Sequence, residues 1–388
     1  MHPNSILQII PPREIENYIN RLKPTSLHVY VDFKNSCRSL FIEDVVKELV
    51  LNSKDGLDTT IFQSMLFFSS YWKRISLFFN IPDFKIFFCY DIGKSSYHQN
   101  IDNKYKKNRD ITSTLIPDYF EDMVKIRNQN CLFAEKVCNK FKDIYFFNLS
   151  FLESDFLPYY LIKYVVDQTN TLNIICSNDK DLLQNLRGPN NLMLFKANGT
   201  SHLINESSVL TKYTGVNKKP TKNIISKLDK ISSVDISYLS AIMAVVGDAG
   251  DDVPGVKGLG PMRVVEMFSN NSHVIEYLGT FDEMVDRVMN GGKYFKKNIN
   301  TDNMTKYWKI AYEHNDLITK SFKLISFECL CRWLNNRKSL ECKKHIDYIY
   351  NIMSKENDLL KDVATVLKGL SSIKNMYLTE NELDVFFK

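Results

Sequence analysis

Short, almost uninterrupted apolar runs alternate with longer amphipathic stretches through the first half of the chain. The runs at 27–31, 85–90, 144–149, 172–176 and 192–196 are too short for helices and too continuous for one-faced strands, so they predict strands buried on both faces. Stretches at 37–51 and 60–79, and one with Ala134, Val137, Cys138 and Phe141 in register, predict helices between them. Strands alternating with helices predict an α/β fold with a mostly parallel central sheet flanked by helices. Ligands bind beyond the carboxyl ends of the strands of such a sheet. Four of the runs are followed at that end by acids, namely Asp32, Asp91, Glu153 and Asp179.

The alternation stops near residue 233. A helix at 235–246, with Ile236, Leu239, Met243 and Val246 on one face, leads into a glycine-rich segment at 247–261. Beyond Pro261 only helices and connecting loops are expected. The chain therefore divides into a proline-rich extension over 1–26 with a helical stretch at 13–22, an α/β domain over 27–230, and a helical region over 231–388.

Composition narrows the class. At 388 residues, 44% hydrophobic and 24% charged, the chain can bury a large core, which excludes a disordered or disulfide-scaffold protein. The net charge of +5 says little, because a cluster of carboxylates can mask a basic surface in the sum. Its distribution says more: Lys104, Lys106, Lys107 and Arg109 are interleaved with Tyr105 and Asn108, and a second basic run holds Lys218, Lys219 and Lys222. The cysteines sit in apolar runs, and Cys329-x-Cys331 lacks the second pair of ligands that zinc requires. Buried thiols in a reducing, intracellular compartment are expected, with no membrane span, since no apolar stretch reaches about 20 residues.

Hydrolysing a phosphodiester near neutral pH requires an activated water and compensation of charge at phosphorus. Two divalent ions about 4 Å apart do both, and only a dense set of oxygen ligands holds them together. The chain offers Asp32, Asp91, Glu153, Asp155, Asp179, Asp181, Asp248 and Asp251. Taken singly, each has an ordinary explanation as a helix cap, a first-turn acid or a solvated loop residue. Taken jointly, strand-end placement plus an acidic pair in a glycine-rich loop points to one metal centre. Gly255, Gly258 and Gly260 permit close backbone approach, and Pro261 suits the first position of a helix whose free amides can grip a phosphate.

This combination resembles the flap endonuclease and 5′ to 3′ exonuclease family over residues 27–265. The resemblance rests on the strand-end acids, on Glu153-Ser154-Asp155, on Ser177-Asn178-Asp179-Lys180-Asp181, on the Tyr105 to Arg109 ending of the second motif, and on the segment from Gly247 to Arg263. It implies a PIN-like nuclease domain with an arch at about 104–130, followed by a helix-three-turn-helix element. It implies two Mg²⁺ or Mn²⁺ ions on the eight acids, and K⁺ at the hairpin. Lys106 and Arg109, three apart and so on one helical face, would steady the scissile phosphate. Tyr105, Lys125, Arg127, Gly255, Lys257, Gly258, Gly260 and Arg263 would contact DNA, with Tyr105 stacking on a base or packing. The chain departs from the family pattern at Phe156, where phage and bacterial members carry another acid, at Asp252, where Asn is usual, and at His98, where Arg is typical.

The resemblance thus implies a structure-selective 5′ nuclease for flaps, nicks and 5′ ends, acting as a monomer in replication or repair. The C-terminal region, with its basic aromatic stretch at 331–344, would extend the duplex-binding face or dock a replication protein. Two alternatives stand beside it: a catalytically weak DNA-binding module of the same fold, and a PIN-type ribonuclease or RNA·DNA hybrid nuclease.

Overall fold

The computed structural model describes residues 14–33, 59–107, 131–197 apart from 133, 137 and 139, 200–215, 231, 233–336 and 338–354. The helix predicted at 37–51, Val137, residues 108–130 of the expected arch with Arg109, Lys125 and Arg127, and Lys218, Lys219 and Lys222 lie outside the described residues.

Each predicted strand is present: β1 (Ser26–Asp32), β2 (Asp83–Ile92), β3 (Ile144–Ser150), β4 (Thr171–Cys176) and β5 (Asn191–Ala197). A sixth, β6 (Thr200–Ile204), follows. The sheet order is β3-β2-β1-β4-β5-β6, parallel throughout except for the antiparallel β5–β6 pair. β6 was not expected, because its Thr-Ser-His start carries no apolar run.

Period-two alternation sends side chains of each strand to two separate cores. Leu27, Val29 and Val31 of β1, Ile86 and Phe88 of β2, and Ile174 and Cys176 of β4 face one layer. That layer holds Ile15 and Ile19 of helix Glu14–Leu22, Trp72 of helix Thr59–Phe78, and Ala134, Cys138 and Phe141. The N-terminal helix is thus part of the body of the fold, over almost the span its sequence predicts. Tyr30, Phe87, Phe147, Ile175 and Met193 face the other layer, whose core runs without a break into the helices after residue 231, as far as Ile349. The helix expected at 235–246 starts as a 3₁₀ turn, Ile236–Tyr238, and continues as Leu239–Val246. Residues 239–245 are all buried, so this helix lies inside the core on every side and has no polar face. None of the seven described cysteines forms a disulfide, and all are buried. Among the described residues no helix is long and apolar enough to cross a membrane.

After β3 the chain passes through Leu157–Tyr160 into a π-helical turn, Leu161–Val165. Phe156, the departure from the family pattern, is buried here with its ring edge-on to Tyr160. Glu328, buried in helix Phe327–Asn335, fixes the turn to the helical layer. Its Oε2 accepts from Tyr159 Oη at 2.9 Å and Lys163 Nζ at 2.6 Å, and its Oε1 from Tyr164 Oη at 3.0 Å and Arg332 Nε at 2.8 Å. Arg332 also pairs with Asp282 and Asp286, so this member of the basic stretch at 331–344 is engaged within the protein.

Candidate metal centre

The chain leaves β1 toward β2 and β4 toward β5, on opposite sides, which opens a crevice beyond the carboxyl ends of this neighbouring pair. Asp32, the last residue of β1, is buried there. Ser177, just past β4, donates to Asp32 Oδ2 at 2.6 Å and accepts from the Asp179 amide at 3.0 Å. Asp179 caps the turn Lys180–Asn185, its Oδ1 accepting from the Asp181 amide at 2.9 Å. Across β1, Asp91 Oδ1 accepts from Ser154 Oγ at 2.9 Å. Ser154 separates Glu153 from Asp155, and Asp155 feels the charges of Asp32, Asp179 and Asp91 together.

Asp248 and Asp251 reach the same crevice from the glycine-rich loop. Asp248 and Val253 form an antiparallel bridge, each amide donating to the other carbonyl at 2.8 Å. The loop closes only because two glycines cross. A Cβ on Gly255 would stand 1.8 Å from the Val246 carbonyl oxygen, and one on Gly247, at φ +78°, 2.3 Å from the Gly255 nitrogen. Gly255→Ala is therefore expected to cost about 2 kcal/mol of stability and to weaken Mn²⁺ binding. Urea melts and calorimetric titration check this, and an unchanged protein would show that the loop tolerates the crossing. Asp252 takes φ +57°, a left-handed conformation that short polar side chains tolerate.

Two lysines enter the acidic group. Lys106 Nζ lies 2.5 Å from Glu153 Oε1 and 3.4 Å from Asp251 Oδ2, and its amide donates to the Asp251 carbonyl at 3.0 Å. Lys180 Nζ lies 3.0 Å from Asp248 Oδ2. Lys106 sits in a turn at φ +56°, not on a helix; Arg109, its expected companion on one helical face, lies outside the described residues. Tyr105 packs: its ring is buried and stacks on His98 at 4.6 Å, while its hydroxyl donates to Glu153 Oε2 at 3.1 Å. In this arrangement no face is left for a base, which corrects that expectation. His98 is buried as well, with Nε2 donating to the Leu324 carbonyl at 3.0 Å and Nδ1 accepting from Ser95 Oγ at 2.7 Å. It anchors the turn that carries Tyr105 and Lys106.

Burial pushes the Asp155 carboxyl well above its ordinary value, and repulsion from Asp32, Asp179 and Asp91 adds to this. Burial, then Asp179, Asp248 and Asp251, do the same to Asp181. Asp179 is also raised, by burial and by Asp251 and Asp248. Burial would lift Glu153 too, but His98 and Lys106 hold it at about 2. Because burial keeps His98 below its ordinary value, and so neutral near pH 7, Lys106 carries that effect there. The raised acids mark an excess of negative charge that the two lysines do not balance.

The donor set fits divalent cations. Carboxylate oxygens of Asp181, Asp248 and Asp251 lie within 4.8 Å of one another, and Asp181 Oδ1 is buried without a hydrogen-bond partner. Such an oxygen is costly unless a cation meets it. Hard oxygen donors in this density suit Mg²⁺ or Mn²⁺.

The structure thus brings Asp32, Asp91, Glu153, Asp155, Asp179, Asp181, Asp248, Asp251 and Lys106 to one crevice. Lys257 is exposed in the glycine-rich segment, and open space lies where a Cβ would stand on Gly258, at φ +86°, and on Gly260. Pro261 begins helix Pro261–Phe268. Arg263, expected on DNA, reaches back to the Gly258 carbonyl and lies 4.7 Å over the Tyr307 ring. Ser154, Ser177, Lys180 and His98 were visible only as motif neighbours; their roles follow from contacts across the fold.

Solved structures of bacteriophage T5 proteins share this fold. One is a flap endonuclease in a pseudo-enzyme–product complex with DNA and metal ions, 15% identical, covering 85% of this chain and 100% of that one at a TM-score of 0.52. Another is the 5′-exonuclease with divalent zinc bound, 16% identical, covering 84% and 98% at a TM-score of 0.51. A third, co-crystallised with metal ions, is 15% identical with the same coverage and a TM-score of 0.51. No protein-family model and no curated protein sequence matches the chain.

Proposed function

We propose that this chain is a metal-dependent 5′ nuclease that cuts branched or 5′-ended DNA by phosphodiester hydrolysis. The observation that carries the reading is the convergence of acids from four strand ends and one glycine-rich loop in one crevice, where Asp181 Oδ1, close to Asp248 and Asp251, is a buried oxygen with no partner. The T5 relatives in fold, described with DNA and with metal ions, support it.

The acids would hold two Mg²⁺ or Mn²⁺ ions, with Asp181, Asp248 and Asp251 close enough to share one. Bound there, the ions would supply Lewis acidity and charge neutralisation for an in-line displacement at phosphorus. Lys106, already between Glu153 and Asp251, would place its ammonium on the non-bridging oxygens of the scissile phosphate. Arg109 is assigned the same task. The open backbone at Gly258 and Gly260, the free amides at Pro261–Phe268 and Lys257 would grip the duplex beyond the cut, with K⁺ at the hairpin. Lys125 and Arg127 would contact the 5′ strand. Phosphate contacts carry no base information, so selection would be by DNA shape. Such selectivity suits a monomer serving replication or repair, with a replication protein docking on its C-terminal region.

The test is cleavage of 5′-labelled flap, nicked and single-stranded DNA in Mg²⁺ or EDTA, with unstructured RNA in parallel. Cutting near the flap junction that vanishes in EDTA is expected. Equal cutting in chelator would remove the metal mechanism, and cutting of unstructured RNA alone would turn the reading toward a PIN-type ribonuclease.

A further inference from the structure

Phe151 is 62% exposed, although it lies between β3 and Glu153. Its backbone takes φ +60°, a left-handed conformation unfavourable for an aromatic residue. Strain of this kind persists only where the surroundings enforce it, and it clusters at functional sites. Here it is enforced from both sides: the Phe151 amide donates to the Ile92 carbonyl and the Ser96 amide to the Phe151 carbonyl, each at 2.9 Å. The ring lies against the backbone at Gly93, where a Cβ would stand 3.2 Å from ring Cδ1. The Cδ1–Cε1 side of the ring is thus backed by main chain, while most of the residue is exposed.

The position is specific to the metal centre. Asp91 lies two residues before Gly93, and Glu153 two residues after Phe151, a reach of about 7 Å along the chain. The same two strands that deliver acids to the crevice therefore also carry the backbone that holds the ring. Leu132 and Leu340, 48% and 69% exposed, line the groove of about 700 Å³ in which the ring sits, and Lys344 is exposed beside them. The two acids of that groove are engaged internally: Glu135 accepts from Tyr348 Oη, and Glu341 from Ser96 Oγ.

An aromatic ring held from both backbone sides and backed along one side by main chain, with apolar shoulders and a lysine, two residues from an acid of the crevice, matches the chemistry of an unpaired nucleobase. We infer that Phe151 stacks on one unpaired base of the DNA, adjoining the phosphate positioned at the acids. The inference rests on the nuclease reading and deepens it, since stacking accepts any base and so adds affinity for unpaired strand without sequence preference.

The test is flap binding, measured by fluorescence anisotropy with Ca²⁺ in place of Mg²⁺, for wild type, Phe151→Ala and Phe151→Trp. Each nucleotide flanking the cut is replaced in turn by an abasic residue. Phe151→Ala is expected to weaken binding about 5- to 100-fold, with most of the loss restored by Phe151→Trp. At one position the abasic flap should weaken wild type by a similar factor and Phe151→Ala no further. Additive losses at every position, wild-type binding by Phe151→Ala, or a Phe151→Trp protein no better than Phe151→Ala overturn the stacking role, and would leave the ring to a protein partner. These outcomes leave the nuclease reading standing. Absence of Mg²⁺-dependent flap cleavage by wild type would remove that reading instead.

Discussion

Lys106→Ala is expected to lower Mg²⁺-dependent flap cleavage by about 10²- to 10³-fold, the usual loss when one preorganised donor to a developing oxyanion is removed. A second effect separates this role from a passive one. Without metal, the Lys106 ammonium is the cation at 2.5 Å from Glu153 and 3.4 Å from Asp251. Removing it leaves two largely buried carboxylates facing the other acids, at a cost of about 3 kcal/mol. Divalent metal would offset that charge directly, so Mg²⁺ should raise the melting temperature of Lys106→Ala by more than that of wild type. Single-turnover cleavage and thermal melts with and without Mg²⁺ check both halves. Wild-type cleavage would remove the first role, and equal metal-induced shifts the second.

Glu328→Gln should produce a large loss of stability outside the acidic crevice. Burial opposes ionisation of this carboxyl, but hydrogen bonds from Lys163 and Arg332 hold it at about 2, against an ordinary 4.5. That difference corresponds to about 3 kcal/mol at neutral pH. Because the folded-state value is depressed, the contribution is complete above pH about 4.5 and fades as the pH falls toward about 2. Urea denaturation should therefore show wild type about 3 kcal/mol more stable than Glu328→Gln at pH 7, with the gap closing in acid. A gap that does not change with pH would mean that shape, and not charge, is what the position requires.

The sheet and the acids were legible because strands buried on both faces leave continuous apolar runs, and a parallel sheet gathers whatever follows them at one end. β6 was not legible, since Thr200, Ser201 and His202 carry no apolar signal. The turn at Lys106 was not legible either, because nothing in the sequence announces φ +56° at a lysine. Tyr105 offered two readings of equal weight locally, and only the stacking of His98, seven residues earlier, decided between them. His98 itself was read only as a departure from the family's usual Arg, yet its partner, the Leu324 carbonyl, lies 226 residues away. Such a contact leaves no trace in local pattern.

That long-range contact has company. Tyr97 Oη donates to the Lys323 carbonyl at 3.0 Å, and Lys320 Nζ lies 2.6 Å from Asp102 Oδ2. The short segment that aims Lys106 is thus moored to the carboxyl end of helix Asn315–Ile325. A shortened version ending before that helix would retain every acid of the crevice and lose the mooring. The portable unit is accordingly the whole body from the first helix to the last, and substitutions near 97–102 should travel in pairs with substitutions near 320–324.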